Sequence, residues 1–271
     1  MTTPVVPLTS GNTRVKEARK LSRRSVRSER RLFLADGPKS VEAALAVDGC
    51  VVEVFATVDA TERYAAWRDD APAWAVVDDR ALASLSDSVT PAGVVAVCRF
   101  LDVPWPLVEE GRSPVTRPRL VAMCADVRDP GNAGTVIRTA DAAGADGVVL
   151  AGSSVDAYNP KTVRASVGSL FHLPVVVEPD VAAAVAAARA AGLNVLAADG
   201  EGETSLDDVG DLLGRRTAWL FGNEAWGLPP EVAALADHRI RIPIHGRAES
   251  LNLSTAAALC LYASASAHRS R

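Results

Sequence analysis

From Arg119 onward, strand and helix signals alternate almost without interruption, and this alternation limits the possible folds more than any other feature. Short apolar runs predict strands at residues 120–125, 147–151, 174–177, 193–198, 218–221 and 240–244. Between them, helical periodicity predicts helices at residues 133–143, 160–169, 181–191, 230–236 and 252–264. Parallel strands need long crossover connections, usually helical, so this order predicts an α/β domain with a mostly parallel sheet and helices on both faces.

The preceding segment reads as a smaller α/β unit. A basic helix is expected at residues 14–30 and an extended piece at 32–34. A helix at 38–47 follows, then strands at 51–57, 74–77 and 94–98, with helical patterns at 62–68 and 80–85. The stretch FLDVPWPLVEEGRSPVTRPRL holds Pro104, Pro106, Gly111, Pro114 and Pro118 and has no period, so it reads as a linker. The expected division is therefore 1–100, linker 101–118 and 119–271. A chain of 271 residues is long enough for two such cores.

Charge is segregated. Residues 14–31 carry nine basic and two acidic residues, a local +7 that leaves −11 on the rest of a chain of net charge −4. A basic stripe of this kind fits a polyanion better than the total suggests. Cys50, Cys98, Cys124 and Cys260 are far apart and form no C-x-x-C pair, so each reads as a small core residue and neither a disulfide framework nor a metal site is expected. The N-terminus lacks the apolar core of a signal peptide, and no run reaches the length of a membrane span. A cytoplasmic location is the expectation.

Three segments hold the residues suited to chemistry. The first, DVRDPGNAGTVIRTADAAGADGVVL, passes from a strand through a Pro-Gly turn into a helix that Asn132 is placed to cap. On that helix Val136, Ala140 and Ala143 form the core stripe, and Arg138 lies roughly 200° round from Val136 at about 100° per residue, free to meet a ligand. The second, AWLFGNEAWGLP, ends an apolar strand in Gly222-Asn223-Glu224, at the end of a parallel strand where α/β proteins bind ligands. In the third, IRIPIHGRAESLNLSTAAALCLY, a short strand leads into a polar loop with His245, Arg247 and Glu249, and then into a small-residue helix opened by Ser250 or Asn252. His245 has no surrounding cluster of metal ligands, so it reads as a loop residue. A nicotinamide-dependent oxidoreductase would need a G-x-G-x-x-G loop, and only Gly131-x-x-Gly134 is present.

In this order the three segments resemble the motifs of the SpoU (TrmH-like) RNA 2′-O-ribose methyltransferases of the SPOUT superfamily, over the region from Arg119 to the C-terminus. The stretch KLSRRSVRSERRLFLADGPKSVEAAL is similar, more loosely, to the family's ribosomal-protein-like substrate-binding extension. The resemblance implies a C-terminal trefoil-knot domain, S-adenosyl-L-methionine as cofactor, an RNA substrate and a homodimer whose site is completed between subunits. By motif position it assigns the cofactor to Gly222, Ile242 and Leu251, with Asn223, Ile244 and Ser250 as pocket neighbours. It assigns catalysis to Arg138, with Asn132, Glu224, Ser250 and Asn252 as further active-site positions. RNA backbone contacts fall to Arg14, Lys16, Arg19, Lys20, Arg23, Arg24, Arg27, Arg30 and Arg31. The large N-terminal part favours ribosomal RNA, 23S first. Transfer RNA is the alternative substrate, and an RNA-binding module without catalysis is the alternative of another class.

Overall fold

The computed structural model describes residues 6–105 and 117–270. The chain divides into two compact units, Met1–Leu101 with Tyr158–Phe171, and Asp102–Ala157 with His172–Arg271. Most of the expected linker lies outside the described residues.

The first unit contains α1 (Thr13–Arg19), α2 (Arg24–Arg30), β1 (Leu32–Asp36), α3 (Pro38–Leu45), β2 (Val51–Ala56), α4 (Val58–Arg63), α5 (Ala65–Asp70), β3 (Trp74–Val76), α6 (Asp79–Ala83) and β4 (Val94–Arg99). Its sheet has the order β1-β4-β2-β3, antiparallel except for the β2–β3 pair. The expected single basic helix is broken. A 3₁₀ turn spans Lys20–Ser22, and Arg23 is extended (φ −90°, ψ 128°). Arg27, nearly fully buried, repairs the break: its Nη1 donates to the carbonyls of Leu21 (2.9 Å) and Ser22 (2.8 Å). Those acceptors would otherwise be left open at a helix end.

Further along the chain come β5 (Leu120–Ala125), α7 (Pro130–Ala143), β6 (Gly147–Ala151), α8 (Pro160–Ser166), β7 (Val175–Glu178), α9 (Val181–Ala190), β8 (Asn194–Ala198), β9 (Thr204–Ser205), β10 (Thr217–Phe221), α10 (Pro230–Ala233), β11 (His238–Arg241) and α11 (Leu253–Arg269). Of these, α8 belongs to the first unit, although it was expected within the C-terminal domain. Aromatic packing is the physical reason. Tyr158 stacks on Phe100 (centroids 3.8 Å apart) and contacts Phe33 (4.7 Å), and Phe171 stacks on Phe33 (5.9 Å). Periodicity announces a helix but not the surface it covers.

Within α8, Thr162 is completely buried, and its hydroxyl has no hydrogen-bond partner among the described residues. An unsatisfied buried hydroxyl costs about 1–3 kcal/mol. Thr162→Val keeps the shape and removes that cost, so it is expected to raise the thermal unfolding temperature by a few degrees in calorimetry. A lower unfolding temperature would show that the hydroxyl is satisfied in solution.

The second unit is built on a seven-stranded, wholly parallel sheet of order β7-β6-β5-β10-β8-β11-β9. Its central strands β5, β6 and β10 are buried throughout, which explains their continuous apolar runs LVAMCA, GVVLA and TAWLF. α9 covers one face through Ala184, Val185 and Ala188. α7 and α11 pack against each other and against β5, and α11 also packs on β10, where Trp219 donates to Ser264 Oγ (2.9 Å). From β5 the chain moves outward through β6 to β7, then returns to the other side of β10. The switch point therefore lies between β5 and β10. All four cysteines are buried, and none is in a disulfide. Burial raises Cys98, aided by a hydrogen bond with Cys50, and also raises Cys260, so these thiols remain protonated. No helix among the described residues is long and apolar enough to cross a membrane.

Candidate active site

At a switch point, the loops after neighbouring strands diverge and leave a crevice. Here the loop after β5 leads into α7, and the loop after β10 is the Gly222–Glu224 segment. Asn132 was expected to cap α7, but the cap is Asp129, whose Oδ1 accepts from Asn132 N (2.7 Å). Pro130 explains the earlier start, because its fixed φ and missing N–H suit the first helical position. Asn132 therefore sits one turn in, and its amide is available for other partners.

Both ends of that amide are used. Nδ2 donates to Glu224 Oε1 (3.2 Å), and Oδ1 accepts from Asn252 Nδ2 (3.1 Å). Glu224 also accepts from the backbone N–H groups of Arg128 (3.2 Å) and Asp129 (3.1 Å). Asn252 caps α11, its Oδ1 accepting from Ser254 N (2.9 Å) and Ser254 Oγ (2.6 Å). One polar relay, Ser254 to Asn252 to Asn132 to Glu224, thus joins the three sequence segments. The carboxylate is close enough to β5 to act on Cys124, which burial first and the charge of Glu224 second push up to about 12.

The second segment is locked from within. Asn223 and Gly227 exchange backbone hydrogen bonds (2.9 Å each), closing a tight turn. Asn223, largely buried, donates from Nδ2 to the carbonyl of Asp126 (2.7 Å) and accepts from Ala225 N (2.8 Å). Asp126 itself has φ +54°, and its Oδ1 accepts from Ser153 N (2.7 Å). Asp is one of the few residues that tolerates this conformation.

A cavity of about 410 Å³ opens beside these loops, lined by the ends of β8 and β10 and by residues of the 242–253 stretch. All six residues expected at the cofactor line it: Gly222, Asn223, Ile242, Ile244, Ser250 and Leu251. Glu224 and Asn252 line it as well. The strand expected at 240–244 ends at Arg241, because Pro243 has no N–H with which to continue a ladder. This early end places Ile242 and Ile244 in the loop. Ile244 and Leu251 are over a third exposed, and such apolar side chains around a half-polar cavity fit a flat base with a polar ribose and amino-acid tail. Asp199 and Gly200, after β8, also line the cavity and were not singled out in the sequence. The rule that ligands sit at carboxyl ends of parallel strands would have found them.

Arg138 stands apart. It is exposed on α7, while Val136, Ala140 and Ala143 are buried, and it does not line the cavity. Among the described residues, no three His, Cys, Asp or Glu side chains are placed to hold a metal ion.

In the first unit the basic stretch is only partly available. Arg27 corrects the expectation of a surface contact, since it is buried at the helix break. Arg14 pairs with Glu53, while Lys20 and Arg30 pair with Glu17 and hold that carboxylate below its usual value. Arg31 lies over the Phe100 ring, 4.6 Å from its centroid. Lys16, Arg19, Arg23 and Arg24 are exposed.

A parallel α/β sheet with a ligand-sized cavity beside its switch point, its flanking loops tied together by a polar relay, fits a domain that binds a small molecule at the carboxyl ends of its strands. The comparisons agree. Residues 119–262 match the SpoU rRNA Methylase family, and residues 12–96 match the MRM3-like substrate binding domain. The chain belongs to the SpoU rRNA Methylase family. It is 33% identical over 251 residues to the 23S rRNA (guanosine(2553)-2′-O)-methyltransferase RlmP of Bacillus subtilis, covering 93% of this chain and 95% of that one. An AdoMet-bound rRNA methyltransferase from Sinorhizobium meliloti superposes with a TM-score of 0.81 at 32% identity, over 96% of this chain and 97% of that one. The SpoU methyltransferase AviRb from Streptomyces viridochromogenes, in complex with AdoMet, gives 0.80 at 29% identity, over 96% and 100%.

Proposed function

We propose that the chain transfers a methyl group from S-adenosyl-L-methionine to a ribose 2′-hydroxyl of ribosomal RNA, 23S RNA first. The observation that carries this reading is that the second and third segments line one cavity, while the Asn252–Asn132–Glu224 relay ties the first segment to two of its lining residues. The cofactor supplies, when bound, a methyl group already activated by its sulfonium. Backbone groups of Gly222, Ile242 and Leu251 hold its adenosine part, with Asn223, Ile244 and Ser250 around them. Asn132, Glu224 and Asn252 fix the geometry of the three loops, and the three hydrogen bonds that Glu224 accepts suit it to holding loops. Arg138 grips a phosphate beside the target ribose and stabilises charge developing on its oxygen. A guanidinium, with a pKa above about 12, makes a poor general base. The reaction takes place in the cytoplasm, on a homodimer whose partner subunit completes the site. The exposed apolar Leu259 and Tyr262 on α11 support that packing.

Radiolabelled methyl transfer to 23S RNA, followed by mapping of ribose methylation, tests the reading. Label on transfer RNA alone would replace the substrate, and no label on any RNA would leave a binding module. The exposed cations of the first unit bind RNA phosphates. Replacing Arg19, Arg23 and Arg24 with Ala is expected to weaken RNA binding and to lower the slope of log affinity against log salt by roughly 2–3. Arg27→Ala should instead lower the unfolding temperature and leave that slope in place. An unchanged slope in the triple variant would remove this surface from RNA binding.

A further inference from the structure

The cavity wall at Asp199 and Gly200 is fastened from outside the cavity, by β11. Asp199 N–H donates to the carbonyl of Ile240 (2.9 Å), and its own carbonyl accepts from Gly202 N (3.0 Å). Its carboxylate accepts from Glu201 N at Oδ1 (3.0 Å) and from Arg239 Nε at Oδ2 (2.9 Å). The same guanidinium reaches Glu203 Oε1 (3.1 Å) and the Glu201 carbonyl (3.2 Å). Arg241 Nη1 donates to the carbonyls of Gly202 and Glu203, each at 3.1 Å. Gly202 lies so close to β11 that a Cβ there would stand 2.7 Å from backbone atoms of Arg239, Ile240 and Arg241. At Gly200, by contrast, a Cβ would meet nothing.

A five-residue turn does not need this many charge-assisted contacts to close. The Arg239 fork engages the loop at three points, a side-chain geometry that a lysine cannot reproduce. A loop fastened in this way needs no ordering when a ligand arrives, and so removes a cost from binding.

We propose that Arg239 is a positioning residue for the methyl donor: it fixes the 199–203 loop as a preformed wall of the donor cavity, with Asp199 as the point of attachment. The proposal rests on the donor reading given above. Loosening the wall leaves only a fraction of molecules competent to bind, and the apparent donor affinity falls by that fraction.

The test is calorimetric titration of the full chain with S-adenosylhomocysteine, alongside steady-state methyl transfer. Arg239→Ala is expected to weaken binding about tenfold, and Arg239→Lys to fall between it and wild type. KM for S-adenosylmethionine should rise by a similar factor, while kcat and KM for RNA stay within about twofold. Arg239→Gln, which keeps part of the stem and an uncharged amide donor, serves if the alanine variant does not fold. Gly200→Val leaves every loop contact in place and should also weaken binding, because it adds bulk at a residue that lines the cavity and whose Cβ meets no neighbour. Wild-type affinity in the Arg239 variants, or a fall in kcat at unchanged donor KM, overturns the proposal. Failure of the wild-type chain to bind donor overturns the donor reading itself and this inference with it.

Discussion

Replacement of Gly222 by alanine is expected to abolish donor binding and to destabilise the C-terminal unit by about 1–3 kcal/mol. Gly222 directly follows β10, and the turn that Asn223 closes with Gly227 folds straight back onto it. A Cβ there would meet the carbonyl group of Gly227 and lie 2.5 Å from Leu228 N. These are backbone atoms, so no side chain can swing away to make room. The turn must open, and opening it breaks the Asn223–Gly227 pair and moves the Asn223 amide off Asp126. Glu224 is the next residue and carries the relay, so the damage extends to the loop after β5. Thermal unfolding and titration with S-adenosylhomocysteine measure the two effects. Trp226→Ala is the comparison: its side chain is 58% exposed in the same turn, and the change should affect neither measurement. Wild-type binding by Gly222→Ala would mean that the turn is loose and is not the rigid edge of the cavity.

The central sheet was legible in the sequence because β5, β6 and β10 are buried on both faces and so appear as unbroken apolar runs. The two-residue edge strand β9 left no such trace. α8 was legible as a helix but not as part of the first unit, since the ring contacts that place it join residues far apart in the chain. Arg27 shows the same limit at short range. Its spacing matched the exposed cations, yet the chain breaks at Arg23 and turns it inward to serve two carbonyls. At the cavity, the residues matched by motif came together, whereas Asp199 and Gly200 lie in no motif and are marked only by their place at the carboxyl end of β8. The Asn132–Asn252 hydrogen bond spans 120 positions, and nothing in the spacing of two asparagines announces it.

Arg138→Ala is expected to lower kcat by roughly 10²–10³ while leaving donor affinity unchanged, the size seen when one donor to a developing oxyanion is removed. The two readouts separate because Arg138 does not line the cavity that the donor reading fills. Arg138→Lys then tells a fork from a charge. A lysine keeps the charge but cannot grip a phosphate through two parallel N–H groups, so it too should be strongly impaired. A near wild-type rate for Arg138→Lys would eliminate the clamp. The exposed position of Arg138 on α7 also yields a test of where it acts. If it serves the cavity of the partner subunit, mixing Arg138→Ala with a cavity-filling variant such as Leu251→Arg restores activity. Random pairing gives mixed dimers with one intact site, and so roughly a quarter of the wild-type rate for a twofold-symmetric pair. No recovery from two folded, exchanging variants would place Arg138 at the cavity of its own chain, and α7 would then have to bring the RNA to it within a single subunit.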